Sequence, residues 1–426
     1  MTTPEFLDLL SETAHLDSDG EVVMGGCRLS ALAASYGTPL FVVDEMALRH
    51  QGQRFHRGLQ ERWPKSRAVF ASKAFPCTAI YELMAQEGLG VDVAGGGELV
   101  LALNGGVDPA LMVMHGNAKT DVELSMAIDA GVGTIVIDNF DDIDRLEKLV
   151  TADQGVLVRV VPGVRGVTHD AMSTGQEGSK FGLSHDDAVN AIRRLQQSDH
   201  LRLDGLHMHI GSQILETEPF AHAVEVLANY GDFDVYDLGG GLGVRYTYSD
   251  VAPTPEAWLD ALVTAAKRSL PRHAELLIEP GRAMVAQSMV TLYRVTTVKH
   301  GVPTFVAVDG GMADNLDVSL YGQRYEATIV NKVGGGASVD LVGRHCESGD
   351  CLIHGVELND PSIGDIVAVG VTGAYAFTML NNYNGALKPA VVFVADGKAD
   401  LRVRRENYGD FFLRDVASGA EGTNYG

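Results

Sequence analysis

The stretch AVFASKAF, residues 68–75, decides how the rest of the chain is read. Ala68, Val69, Phe70 and Ala71 make a short continuous apolar run of the kind found in a buried strand, and a helical pattern, IYELM, begins at Ile80. Lys73 therefore falls at the carboxyl end of that strand. Apolar walls there strip water from its amine, disfavour the charged form and leave a nucleophile able to form a Schiff base. Taken alone, a lysine in such a place more often reaches for solvent.

Working outward, strand-like runs recur as GVDVA (90–94), LMVMHG (111–116), GTIVID (133–138), GVLVRV (155–160), LDGLHMHIG (203–211), FDVYDLGG (233–240) and AELLIEP (274–280), which with the Lys73 strand makes eight. Helix-period stretches lie between them. FDDIDRLEKLV puts Ile143, Leu146 and Val150 on one face, and TDVELSMAIDAG opens with the capping-box pair Thr120 and Glu123. Eight strands alternating with helices predict an α/β fold of the (β/α)8 barrel type over residues 45–284, with its chemistry at the strands' carboxyl ends. Residues 1–44, which end in the strand-like TPLFVVD, read as an N-terminal segment that packs with a later domain. After Arg282 the texture changes to β-branched runs such as TLYRVTTVKH, TFVAVDGG, EATIVNKV, DIVAVGVTG and PAVVFVADGKADLRVRR, where few helices fit. Residues 285–418 are thus expected to form a mostly antiparallel β-domain whose last hairpin turns at Asp396 and Gly397, followed by a loose tail over 419–426.

A chain of 426 residues with 46% hydrophobic content can bury a large core, and a net charge of −23 argues against nucleic acid or an anionic membrane as partner. Cys27, Cys77, Cys346 and Cys351 share no metal-ligand spacing and are too few for a disulfide scaffold, so no metal and a reducing cytoplasm are expected. The start, MTTPEFLDLLSETAH, is acidic where a signal peptide is basic, and no run of about 18 apolar residues offers a membrane span.

The strand ends carry the chemistry. GLHMHIGSQI sets His207 and His209 on one side of a strand with Ser212 just beyond; by itself this pair reads equally as satisfied core histidines. DLGGGLG at 237–243 offers consecutive bare amides, including those of Gly240 and Gly241, as an anion nest, without the glycine spacing of a dinucleotide site. IEPGR places Glu279, Gly281 and Arg282 at the last strand's end. A lysine for covalent attachment, an anion nest, a carboxylate for a ring nitrogen and a flat group against the ring together suit one cofactor, pyridoxal 5'-phosphate.

FASKAF, GVDVAGGGEL, HGNAK, STGQEGSKFGL, HIGSQI, DLGGGLGVRY, EPGR, VDGGMADN, HCESGD and GAYAFTMLNNYN follow one another in the order seen in diaminopimelate decarboxylases, which the chain resembles over nearly its whole length. These belong to the alanine-racemase-like, fold type III enzymes that use pyridoxal phosphate. The resemblance implies a barrel plus β-domain and a head-to-tail homodimer with shared active sites. It also implies that Lys73 holds the cofactor, that His209 stacks on its ring, and that Ser212, Gly240, Gly241, Gly281, Arg282 and Tyr375 surround the phosphate. Glu279 would pair with the pyridine nitrogen, whereas Cys346 and Glu347 would enter the partner's site, the thiol returning a proton and the carboxylate holding a substrate ammonium. Cys27, Cys77 and Cys351 gain no role. Arg282, Asp317, Tyr321, Glu347 and Tyr375 would contact substrate.

Two positions depart from the family pattern. Asp317 stands where an arginine usually binds the distal carboxylate of diaminopimelate, and Lys388 replaces another arginine. The implied activity is decarboxylation of meso-diaminopimelate to L-lysine in lysine biosynthesis. The alternatives are a relative acting on an amino acid with a non-acidic distal group, and a cofactor-binding homologue without turnover.

Overall fold

In the computed structural model, which describes residues 5–164, 175 and 178–416, eight parallel strands close into a barrel in sequence order. They are Ser66–Ala71, Gly90–Val93, Met112–Met114, Thr134–Ile137, Gln154–Arg159, Leu201–His207, Val235–Asp237 and Glu275–Ile278, the last pairing with the first. The predicted tail at 419–426 and residues 173, 174, 176 and 177 of STGQEGSKFGL lie outside the described residues.

Side chains alternate along a strand, and the barrel uses that alternation twice. Val69, Val113 and Leu157, with the partly buried Val235, come from the first, third, fifth and seventh strands and pack with Val136 in a cluster of their own. Apart from Val136, which the fourth strand adds, that is the layering by alternate strands that fills such barrels. Two residues further along each strand the same parity delivers Ala71, His115, Asp138, Arg159 and Asp237 to the carboxyl-terminal mouth.

Helices seal the outside. Thr120 and Glu123 complete both halves of the capping box that starts helix Asp121–Ala130, and Asn139 caps helix Phe140–Leu149, whose Ile143 and Leu146 are fully buried. Asp44, fully buried, ends one strand and caps helix Glu45–Arg62 by accepting from Ala47 N, while also accepting from Ser11 and Thr13.

The second sheet has nine strands and is mostly antiparallel. Its long strand Met289–Lys299 pairs with Leu40–Asp44, which in turn runs parallel to Ala390–Ala395. The N-terminal strand is therefore hydrogen-bonded within the sheet, between two strands that follow the barrel. All five of its residues are buried, as its unbroken apolar pattern requires. A short helix, Asp317–Tyr321, interrupts the expected run of strands. Among the described residues no helix is long and apolar enough to cross a membrane.

Candidate active site

A cavity of about 310 Å³ opens where the barrel mouth meets the second sheet, lined by Lys73, His209, Ser212, Gly241, Glu279, Gly281, Arg282, Tyr321 and Tyr375, with Ala71, Phe181 and Met379. A larger hollow of about 520 Å³ lies beside the second sheet, but its walls (Glu5, Tyr248, Glu326 and Glu357 among them) bring no lysine or histidine.

The first strand ends at Ala71, and Lys73 sits just past it in a single 3-10 turn, Ser72–Ala74. Its side chain is half-exposed to the cavity, with Nζ 3.6 Å from Asp92 Oδ2. The sequence suggested that the amine's charge is disfavoured there. Burial does act that way, but Asp92, followed by Tyr375 and Glu279, outweighs it and holds the ammonium above the ordinary lysine range. The second strand supplies Asp92, and a single strand's apolar pattern does not reveal what its neighbour presents.

Glu279 is the hub of the floor. Its Oε1 lies 2.5 Å from His115 Nε2 and its Oε2 lies 3.3 Å from His207 Nε2, all three residues being buried. Burial alone would favour the neutral acid, but the two imidazoles overcome it and keep Glu279 well below the usual carboxylate range. Asp237 goes the other way: burial, and then the charge of Glu279, push its carboxyl well above that range, since two adjacent buried carboxylates do not both ionise. His207 is driven down to about 3, chiefly by burial, and stays a neutral ring. It is a buried core histidine, but one committed to Glu279.

His209 also lies well below its ordinary pKa, because of burial and then the charges of Lys73 and Arg159. Its Nδ1 accepts from the amide of Gly240 at 3.3 Å, which fixes the ring beside the glycine turn. Gly241 has φ of 116°, and a Cβ there would lie 2.3 Å from Gly211 O; at Gly240 it would lie 1.9 Å from Glu279 O. Only glycine allows the backbone to approach this closely. Arg282 donates from Nε to Ser212 Oγ at 3.3 Å and from its terminal nitrogen to Tyr246 Oη at 2.5 Å, and its guanidinium lies 4.7 Å from the centre of the Tyr375 ring. Tyr375, at φ of 67°, donates its amide to Ala74 O and so ties the second sheet to the Lys73 turn.

Asp317 is buried and does not face solvent. It stands behind the cavity wall, within electrostatic reach of Arg282 and beside Tyr325, with Oδ1 making no hydrogen bond. Cys346 and Glu347 are exposed and are not among the residues lining this chain's cavity. Their loop is held by Asp350, whose carboxylate accepts the amides of Met312 and His345, and Cys346 N donates to Asn384.

These residues fit pyridoxal phosphate. Glu279 is buried, held in its charged form and part of the cavity lining, as a partner for a protonated ring nitrogen should be. Bare glycines beside a cationic Arg282 form an anion cradle at the ends of the seventh and eighth strands, the eighth pairing with the strand that leads to Lys73.

Residues 49–286 match the family model described as the pyridoxal binding domain of pyridoxal-dependent decarboxylases. The chain belongs to this family. Pyridoxal 5'-phosphate is its cofactor, and its reaction class is that of a carboxy-lyase. Among pyridoxal-dependent decarboxylases it is 43% identical over 413 residues to the diaminopimelate decarboxylase of Actinosynnema pretiosum subsp. auranticum, covering 93% of each chain. It is 40% identical to that of Bacillus subtilis, covering 96% of this chain and 98% of the other. A crystal structure of diaminopimelate decarboxylase from M. jannaschii with L-lysine superposes with a TM-score of 0.90 at 28% identity, covering 96% and 98% of the two chains. Around the cavity stand five residues that the sequence reading passed over: Asp92 beside Lys73, His115 and Asp237 beside Glu279, and Arg159 against Phe181, which lines the cavity itself. The strand parity that led to Lys73 would have found His115 and Asp237, had it been applied to every strand.

Proposed function

We propose that the protein decarboxylates meso-diaminopimelate to L-lysine as a cytoplasmic homodimer with shared active sites. The observation that carries this reading is the convergence of Lys73, His209, the glycine turn and Glu279 on one cavity in a chain 37–43% identical, over at least 93% of its length, to diaminopimelate decarboxylases. Residues 45–284 serve as the cofactor-binding barrel and 285–418 as the β-domain, with residues 1–44 joined to the latter.

When bound, the cofactor supplies an electron-withdrawing ring for the bond to carbon dioxide. Lys73 would hold it covalently. His209 would face its ring, and Ser212, Gly240, Gly241, Gly281, Arg282 and Tyr375 would hold the phosphate. Glu279 would pair with the ring nitrogen and favour its protonated form. Arg282, Tyr321 and Tyr375 also border the substrate. Carbon dioxide release from a panel of meso-diaminopimelate, ornithine, lysine and acylated diamino acids tests the assignment, and a preference for any other member overturns it.

Cys346 supplies the returning proton and Glu347 holds a substrate ammonium, both in the partner's site. Their exposure, and their absence from their own chain's cavity lining, support a site completed by a second copy. Mixing inactive Lys73→Ala with inactive Cys346→Ala should restore up to about a quarter of wild-type activity, because random exchange in a twofold dimer gives one intact site in half the molecules. Heterodimers that form without any rescue would rule out the shared site.

Asp317 favours a second reading, a substrate whose distal end is not a lone carboxylate. Asp317→Arg should raise kcat/KM for meso-diaminopimelate by about tenfold or more if the position faces substrate, as a charge-assisted pair replaces repulsion. Indifference to that change would remove Asp317 from the substrate site.

The same residue gives a pH dependence. Burial raises its pKa to about 6, with Arg282 and Tyr325 opposing. The folded state then keeps a proton that the unfolded chain has lost, so this contribution to stability is complete below about pH 4 and is lost as pH rises through 6. Asp317→Asn should gain roughly 2–3 kcal/mol relative to wild type between pH 4 and pH 7. Thermal unfolding across that range checks the sign.

A further inference from the structure

Asp340, Cys351 and His354 meet on the second sheet, outside the active-site lining. Strand Ala337–Val342 pairs antiparallel with strand Cys351–Leu358, and the register slips twice, between Val339 and Leu341 and between Leu341 and Val342. In an unbroken strand Cys351 and His354, three residues apart, would point to opposite faces. The slips, together with Gly355 at φ of 69°, undo this. Cys351 Sγ lies 3.4 Å from His354 Nδ1, which lies 3.2 Å from Asp340 Oδ2. Irregularities of this kind re-aim side chains.

We propose that Asp340, Cys351 and His354 are a three-ligand site for a thiophilic divalent cation of the zinc class, with water as the fourth ligand. A tetrahedral ion with bonds of roughly 2.0–2.3 Å has edges of roughly 3.3–3.8 Å, close to the separations already present. Thiolate, imidazole and carboxylate are the donors that such an ion takes. Asp340 Oδ1 accepts from Gly355 N at 2.9 Å, which orients the carboxylate and leaves Oδ2 for the metal. His354 is 79% exposed and gives the ion a path in from solvent. Burial, and then the charge of Asp340, push the Cys351 thiol up to about 11, with Asp350 adding to it. The same negative field attracts a cation, which on binding displaces the thiol proton to solvent with no change of oxidation state. Cys351 directly follows Asp350, the anchor of the loop that carries Cys346 and Glu347, so a bound ion braces that loop at its exit.

Cobalt(II) is the probe, added to the holoenzyme without substrate and read as a difference spectrum against magnesium. A near-ultraviolet thiolate-to-cobalt band should saturate at one ion per chain. His354→Ala and Cys351→Ser should each abolish it or weaken binding at least tenfold, while Cys346→Ser keeps it; the buried His115, His207, Asp237 and Glu279 group has no sulfur and cannot give this band. Zinc should displace cobalt and raise the thermal midpoint of wild type but not of His354→Ala, a substitution at an exposed position that the fold can accept. No thiolate band, a band that survives both ligand substitutions, or one lost with Cys346 would overturn the site.

Discussion

Lys73→Ala is expected to lose decarboxylation by a factor on the order of 10⁴ or more, the scale seen when the group that forms the covalent link is removed. Borohydride reduction should fix the cofactor to wild-type protein at Lys73 and leave the variant unlabelled. Cofactor binding should weaken without vanishing, because Ser212, the glycine turn, Arg282 and Tyr375 are untouched in their own contacts. Lys73→Arg makes the distinction sharper. It keeps a cation beside Asp92 but has no amine that can be deprotonated, so it should be as inactive as the alanine variant. A variant that retained turnover, or a label found on Lys119 or Lys180 instead, would defeat the assignment.

The second large effect is at Glu279. Glu279→Gln keeps the shape of the side chain and removes its charge, and kcat should fall by about 10²–10³, the usual result of removing one preorganised electrostatic group from a dry site. KM should change far less if, as proposed, the carboxylate stabilises charge that develops during the reaction. The spectrum of the bound cofactor should shift as the ring nitrogen loses its anionic partner, with or without turnover. Glu279→Ala should also cost stability, since it leaves His115 and His207 facing a void with nothing to accept from them. If Glu279→Gln had wild-type kcat, the ring nitrogen would not depend on this residue.

Both experiments rest on residues that the sequence already identified, for a local reason. Buried strands announce themselves as apolar runs, and the period of two then tells which side chain emerges at the end of each. From that follow the eight-strand barrel, Lys73 and Glu279 at its mouth, the glycine turn between them and the capping box at Thr120, all set by neighbours within a few residues along the chain. The motif order adds the family and marks Asp317 as its departure at the substrate end.

Tertiary structure decided what depends on neighbours distant in the chain. Closing the barrel puts Asp92 beside Lys73, which reverses the expected effect of burial on the amine, because a charge a few ångströms away outweighs the loss of water. It likewise sets His115, His207 and Asp237 around Glu279 and so determines which carboxylate of the pair is ionised. Leu40–Asp44 reads as a strand, but its place between Met289–Lys299 and Ala390–Ala395 is a matter of pairing that no local pattern specifies. Cys351 and His354 are separated by the strand period and reunited by slips in register, so their meeting could not be read from their spacing. Periodicity is a property of the chain itself, whereas burial, charge and register belong to the pairs of segments that folding brings together.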